Sequence, residues 1–247
     1  MGINTHRFQK LIGFPTGGGT HSAHPRDRHV IWLPRHRLAY IRVPKAANSS
    51  IRYGLAERFQ ITSKANSRAN KDHFWAHVAD GAAATLTPKA YQQKPECRTS
   101  WCFSFVRHPV ARLYSSWNNK VVENKEVPIG FARMGLSSGQ SFADFVARVA
   151  AVPDAESDIH VRSQWSILSH DNHLVPDFIG RVETIAQDWD HVRFETRLRC
   201  GVDPGPLARI NMRARARPDI ASTLPTDLLA KIHTRYEQDF QLFYPDG

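Results

Sequence analysis

The sequence predicts an α/β protein with a central parallel β-sheet flanked by helices. Apolar, β-favouring runs alternate along the chain with helix-like runs, and two of them pass into a helix through a short polar turn. At 247 residues, the chain has the size of one domain with a substantial core. We expect a flexible leader over residues 1–29, which are rich in polar residues, and a single domain over residues 30–247.

The first strand-to-helix turn is at residues 44–50. The preceding run, Leu38–Val43, is rich in β-favouring residues and bounded by prolines, so it predicts a buried strand. After the turn, apolar residues recur at helical spacing as far as Phe59. Ser49 or Ser50 is the expected N-cap of this helix.

This turn has the composition of a phosphate site. A helix N-terminus attracts anions, and Lys45 places a compact positive charge at the mouth of the turn. The ATP-binding pattern Gly-x-x-x-x-Gly-Lys-Ser/Thr is absent, because Lys45 comes first and the turn contains no glycine. Asn48 is the residue of the turn that best tolerates a left-handed backbone.

The second strand-to-helix turn follows the apolar run at residues 101–106. Arg107 ends this predicted strand, and Pro109 suits the first turn of a helix. Ser115 lies two turns into that helix. The guanidinium of Arg107 and the hydroxyl of Ser115 can therefore converge on one phosphate. Two separate anion sites indicate a ligand with two anionic groups.

Two further helices are predicted from apolar spacing. Phe142–Val149 has one apolar face, and the pattern from Leu224 to Phe240 predicts a last helix.

The two turns resemble the nucleotide-binding motifs of the sulfotransferases. The family's 5′-phosphosulfate loop, Pro-Lys-Thr/Ala-Gly-Thr/Ser-Thr/Ser-Ser, is matched at Lys45, Ser49 and Ser50, while Asn48 departs from it. Its 3′-phosphate motif, Arg-Asp/Asn/His-Pro-x-x-Arg-x-x-Ser, is matched in register by Arg107, Pro109, Arg112 and Ser115.

Later segments are similar to the carbohydrate-type, family 2-like branch. These segments are His160–Gln164, Asp177–Glu183 with Asp188-Trp189, and Tyr236–Phe243, so the resemblance runs from about Leu38 to Tyr244. Within the first of them, His160 and Arg162 are expected to contact the acceptor or brace the loop, and Gln164 to act as structural support.

The resemblance implies a P-loop-NTPase-like three-layer sandwich without a true Walker A motif. It also implies a co-substrate, 3′-phosphoadenosine-5′-phosphosulfate, no metal, and in-line transfer of a sulfuryl group to a hydroxyl or amine of a carbohydrate or other small molecule. The implied nucleotide-binding residues are Lys45, Ala46, Ala47, Asn48, Ser49, Ser50, Arg107, Ser115 and Arg213. Arg213 belongs to a basic segment, Arg209–Arg217, which either closes over the ligand or faces water.

Catalysis by such an enzyme needs a cation and a base. Lys45 is placed to stabilise the charge that develops on the bridging phosphate oxygen. The acceptor's proton is expected to pass to a histidine, because its pKa lies near neutrality. In the resembled branch a histidine between the two motifs commonly precedes a helix, which favours His77 as the base and leaves His73 as second choice.

Two other functions stay open from composition alone. The formal net charge of +10 implies anionic ligands and is compatible with a non-catalytic polyanion- or nucleic-acid-binding protein. The basic residues are mostly dispersed, however, so we expect no nucleic acid as partner. A divergent small-molecule kinase is the other alternative, disfavoured by the missing Walker pattern.

The compartment is expected to be the cytoplasm. No long apolar run predicts a membrane span, and the N-terminus lacks the apolar core of a signal peptide. The three cysteines, Cys97, Cys102 and Cys200, have no metal-ligand spacing and fit reduced thiols. The alternative is a Golgi lumenal domain without its membrane anchor.

Overall fold

The structure is a computed structural model that describes residues 27–207 and 220–245. The strands are β1 (Val30–Leu33), β2 (Leu38–Ile41), β3 (Ala84–Leu86), β4 (Trp101–Val106), β5 (Ser169–His170), β6 (His173–Leu174) and β7 (Phe178–Arg181). The α-helices are α1 (Asn48–Arg58), α2 (Asp72–Ala76), α3 (Pro88–Gln93), α4 (Pro109–Trp117), α5 (Ile129–Arg133), α6 (Phe142–Ala151), α7 (Gln164–Leu168), α8 (Ile185–Cys200), α9 (Ile220–Thr223), α10 (Thr226–Arg235) and α11 (Glu237–Phe243). A π-helical turn, Asn118–Val122, extends α4.

The central sheet has the strand order β3-β1-β2-β4-β7 and is mixed. β2, β4 and β7 pair in parallel, as predicted, whereas β1 is antiparallel to both of its neighbours, β2 and β3. The prediction of a parallel sheet is therefore wrong for β1. Only Pro34–Arg37 joins β1 to β2, with Arg37 in the left-handed region (φ 48°), and such a connection is too short for a parallel crossover.

Helices cover both faces of this sheet. Alternate residues of the strands enter two separate apolar clusters: Trp32 and Ile41 point to one, Ile31 and Tyr40 to the other. The first cluster includes residues of α4, α6, α10 and α11, and the second includes residues of α1 and α8. The prediction that helices flank the central sheet is confirmed, while the P-loop-NTPase-like three-layer sandwich stays a prediction.

Several predicted elements are confirmed and two are corrected. β4 has the predicted bounds, Pro109 is the first residue of α4, and α6 includes the predicted apolar face. The last helix is interrupted at Tyr236, which leaves the helical backbone (φ −119°, ψ 30°) and donates its hydroxyl to the Val161 carbonyl. The predicted serine cap is also wrong, because α1 begins at Asn48 and its N-cap is Ala47.

The predicted leader lies almost wholly outside the described residues. Of the helices within residues 27–207 and 220–245, none has the length and apolarity needed to cross a bilayer.

Candidate active site

A large cleft lies where the parallel strands end. The carboxyl ends of parallel strands share one edge of a sheet, which is where open α/β sheets bind ligands. The segments after β2, β4 and β7 contribute Lys45, Arg107 and Glu183 to this cleft, which has a volume of about 2260 Å³. Helices α1, α4 and α8 follow these segments. The two predicted phosphate turns therefore open into one cleft.

The turn before α1 has an unusual backbone. Lys45 and Ala47 both lie in the left-handed region, with φ of 70° and 54°, and between them Ala46 is fully buried. The Ala46 N–H donates to the Val43 carbonyl at 3.2 Å, so the N–H groups that can face an anion are those at the start of α1. Asn48, whose residue type tolerates left-handed angles, does not adopt them here, because it is already the first residue of α1. Strain of this kind is typical of functional loops.

The Lys45 ammonium faces the π-helical turn. Lys45 Nζ donates to Asn119 Oδ1 at 2.6 Å, and Asn119 Nδ2 donates in turn to Glu123 Oε2 at 3.0 Å. Lys120 of the same turn also lines the cleft, and burial lowers the pKa of its amine. Short π-helical segments are frequent at functional sites.

Arg107 is held by the amide of Gln164. Gln164 Oε1 accepts from the Arg107 N–H and its Nε2 donates to the Arg107 carbonyl, both at 2.9 Å. The predicted supporting role of Gln164 is thus confirmed. Beside them, Glu183 accepts from the His108 N–H and from the Tyr244 hydroxyl, at 2.9 and 2.8 Å. Four contacts therefore fix the backbone and wall around the second turn.

Arg112, which belongs to the same motif, is directed away from the cleft. It is 2% exposed, and its guanidinium donates to the carbonyls of Pro44, Ile159 and Arg162 at 2.7–3.1 Å. One buried side chain on α4 thereby connects the Lys45 turn to the segment that contains His160. Ser115, three residues after Arg112, does line the cleft.

Of the arginines in the cleft that were not predicted, two lie close to the Lys45 turn. Arg42 ends the strand segment before the Lys45 turn, and Arg52 lies on α1 three residues after Ser49, hence on the same helix face. Both bind Asp72, the first residue of α2, at 3.0 and 2.9 Å. Burial lowers the pKa of the Arg52 guanidinium to about 10, with Asp72 opposing the shift. The helical spacing from Ser49 was the signal that could have identified Arg52.

The cleft is positively charged and retains unused polar atoms. Among the described residues that line it, basic side chains outnumber acidic ones eight to four. Arg52 Nε and Nη2 and Asn48 Oδ1 are buried without a hydrogen-bond partner among the residues that the structure describes. Buried polar groups need a partner, and the two unpaired nitrogens of Arg52 are donors that an anionic ligand can satisfy.

The predicted base residues differ in position. His73 lines the cleft, whereas His77 is an exposed residue outside the cleft lining. Their rings lie 4.3 Å apart, and His77 Nδ1 is 2.9 Å from the His73 carbonyl oxygen. These positions do not test the catalytic role, so the assignment of the base stays a prediction.

The remaining predicted residues fall into three groups. Lys45, Ala47, Asn48, Ser49, Ser50, Arg107 and Ser115 are brought together in the cleft lining. Ala46 lies in the core beneath the turn, outside the cleft lining, and its N–H donates to the Val43 carbonyl. Arg213 lies outside the described residues. Within the described part of the chain, no group of three or more His, Cys, Asp or Glu residues is arranged to hold a metal ion.

Comparison with known proteins identifies the family of the chain. Searches of curated proteins and of solved structures returned no match. A family model described as "Sulfotransferase family" matches residues 28–245, nearly the whole chain, and includes both phosphate turns and the later segments. The chain therefore belongs to the sulfotransferase family, in its family 2 branch.

Proposed function

We propose that this protein transfers a sulfuryl group from 3′-phosphoadenosine-5′-phosphosulfate to a hydroxyl or amine of a carbohydrate or other small-molecule acceptor. The observation that supports this proposal most strongly is that the Lys45 turn and the Arg107 turn line one cleft. The donor has anionic groups at both ends of an adenosine, and two separate cationic turns in a shared cleft match that distribution of charge.

The described residues fit such a donor. The left-handed turn at Lys45 and Ala47 and the first N–H groups of α1 suit the 5′-phosphosulfate, while Arg107 and Ser115 suit the 3′-phosphate. The unpartnered guanidinium nitrogens of Arg52 add two donors on the α1 side. When bound, the donor supplies an activated sulfuryl group.

Lys45 would act as the electrostatic catalyst. Its ammonium is preorganised by Asn119 at 2.6 Å, so little reorganisation is needed when negative charge grows on the leaving phosphate. A histidine would take the acceptor's proton, with His77 and His73 as the candidates from sequence. We also propose a cytoplasmic location, because Cys97, Cys102 and Cys200 are free thiols, as expected in a reducing compartment.

The direct test is transfer of radiolabelled sulfur. The protein is incubated with ³⁵S-labelled 3′-phosphoadenosine-5′-phosphosulfate and a panel of polysaccharides, phenols and amino sugars, and labelled products are separated. We expect at least one acceptor to become labelled. Lys45→Ala should lower the rate by about 100-fold or more, as expected for loss of a preorganised charge contact.

The matched control is Lys89→Ala, which removes an exposed lysine of α3 outside the cleft lining and should leave the rate unchanged. The proposal fails if no acceptor is labelled while labelled ATP or DNA is bound, which would favour the kinase or the polyanion-binding alternative. Equal rates for Lys45→Ala and wild type would remove Lys45 from the mechanism.

A further inference from the structure

A hydrogen-bonded Asp–His pair, Asp158 and His160, lies at the cleft. It belongs to a different segment of the chain from the predicted base residues His73 and His77. His160, between α6 and α7, lines the cleft, and its Nδ1 is 2.7 Å from Asp158 Oδ1. The backbone N–H of His160 also donates to Asp158 Oδ1, at 3.0 Å. The side chain of Asp158 is 15% exposed and that of His160 28% exposed, so the carboxylate lies behind the imidazole.

Asp158 is held in place by α5 and the residue after it. Its backbone N–H donates to the Met134 sulfur at 3.2 Å. A Cβ atom at Gly130 would lie only 2.0 Å from Asp158 Oδ2, so the carboxylate packs directly onto the α5 backbone. The Phe131 ring is edge-on to the imidazole, with 6.3 Å between the ring centroids. The absence of a side chain at Gly130 is what makes room for this carboxylate.

His160 is fixed to the helix that contains the second phosphate motif. Ser116 Oγ donates to the His160 carbonyl at 2.8 Å, and Arg112 Nη2 donates to the Ile159 carbonyl at 3.1 Å. Both donors belong to α4, as does Ser115 in the cleft lining. The position of the imidazole is therefore rigidly coupled to the nucleotide-binding side of the cleft.

The protonation states of Asp158 and His160 are those of a carboxylate and a general base. Burial favours the neutral carboxyl of Asp158, but the hydrogen bonds from His160 outweigh burial and lower its pKa. A carboxylate only accepts hydrogen bonds, so Nδ1 carries the proton and Nε2 presents a lone pair. Nε2 has no hydrogen-bond partner among the residues that the structure describes.

Burial is the main cause that favours the neutral form of His160. Burial lowers the pKa of its imidazole, Asp158 opposes this shift, and the ammonium groups of Lys120 and Lys45 reinforce it. Lys120 comes from the π-helical turn and Lys45 from the turn before α1. The imidazole is thus an unprotonated acceptor at neutral pH, close to the cation that would stabilise the leaving group.

We propose that His160, oriented by Asp158, is the general base of the transfer, in place of His77 or His73. This inference rests on the proposed function. The acceptor's O–H bond breaks and its proton passes to His160 Nε2, while the acceptor oxygen bonds to sulfur as the bond from sulfur to the bridging phosphate oxygen breaks. The proton stays on the imidazolium, which the Asp158 carboxylate stabilises.

The two sequence-based candidates lack this arrangement. His73 and His77 are exposed, and within the described part of the chain neither ring contacts a carboxylate. A third group that orients the base is the recurrent signature of such sites.

The tautomer of His160 provides a test that needs no turnover. Long-range ¹H–¹⁵N spectra of the histidine ring nitrogens, assigned with His160→Gln, should show a neutral ring protonated at Nδ1 at pH 7. Asp158→Asn should change the ring-nitrogen shifts of His160. A ring protonated at Nε2, or charged at pH 7, would overturn the proposal.

Kinetics provide the second test, with transfer to a screened acceptor or to water as the readout. His160→Ala should lower kcat by about 10²- to 10⁴-fold, the usual contribution of a general base, and added imidazole should restore part of it. Asp158→Asn should lower kcat with little change in KM and move the acid limb of the pH profile to lower pH, because the carboxylate raises the pKa of His160.

The control is His173→Ala, an exposed histidine of β6 outside the cleft, which should behave as wild type. Binding of 3′,5′-adenosine bisphosphate to the wild type distinguishes failure of the proposed function from failure of the His160 assignment. If wild type neither binds the nucleotide nor transfers, the proposed function fails. If wild type does both and His160→Ala keeps its kcat, or if His77→Ala or His73→Ala alone abolishes turnover, the assignment of His160 is wrong.

Discussion

Arg112 is a charged residue whose function is to hold backbone segments together. Its three carbonyl partners lie in two segments that are distant from α4 in the sequence, one before α1 and one before α7. Burial lowers the pKa of this guanidinium, while Tyr236 and Asp239 oppose the shift. Because the motif places Arg112 only five residues after Arg107, sequence comparison alone cannot separate a ligand contact from this structural role.

Replacing Arg112 should therefore destabilise the protein. Arg112→Met removes three charge-assisted hydrogen bonds and leaves buried carbonyls without donors, which should cost about 3–5 kcal/mol of unfolding free energy. Urea unfolding measures this loss, and Arg98→Met, at an exposed position outside the cleft, is the control. A loss below about 1 kcal/mol in Arg112→Met would show that the three hydrogen bonds contribute little.

At the scale of elements, the local signals around the second turn were sufficient to predict a strand and the start of the helix that follows it. β4 and the start of α4 were predictable because an apolar run ends at Arg107 and a proline follows at the first helical position. The break at Tyr236 was not predictable from the sequence. Because α10 and α11 pack on the same apolar cluster, their apolar pattern continues across the break. The direction of β1 was also hidden, since alternation of buried side chains is the same in both directions.

Many residues of the site were predictable because each of the two turns is one continuous stretch of sequence. The surroundings of the Asp158–His160 pair were not predictable, because Lys45, Lys120 and the helix that holds His160 through Ser116 come from other segments of the chain. Sequence periodicity gives which face of an element is buried, but it does not give the distances between elements.

The role of α5 can be tested through its glycine. Gly130→Ala places a methyl group where Asp158 Oδ2 lies, so the carboxylate must move and kcat should fall as it does in Asp158→Asn. The control is Gly54→Ala in α1, where the added Cβ meets nothing within 4 Å. This control should keep its kcat and gain about 0.5–1 kcal/mol of stability, as expected for alanine in a helix.

Circular dichroism and thermal melting should show that Gly130→Ala remains folded, which ties its loss of turnover to the site. Wild-type turnover in a folded Gly130→Ala protein would mean that Asp158 need not occupy its observed position.

At the scale of the whole molecule, the two phosphate turns are joined by packing as well as by the sheet. Arg112 connects the first turn to the His160 segment, and Gln164, at the end of that segment, holds Arg107 of the second turn. Gln164 is itself fixed by Asp239 of α11, which accepts from its backbone N–H at 2.9 Å. A connected network of polar contacts thus joins the Lys45 turn to the Arg107 turn.

The most direct test of this account is calorimetric titration with 3′,5′-adenosine bisphosphate, the nucleotide that has both phosphates and no sulfuryl group. Wild type should bind it saturably. Arg107→Ala and Lys45→Ala should each weaken binding by about tenfold or more, the usual loss for a charge-assisted phosphate contact, while Arg98→Ala should have no effect. Absence of saturable binding, or unchanged affinity in both variants, would contradict the claim that two cationic turns hold one nucleotide.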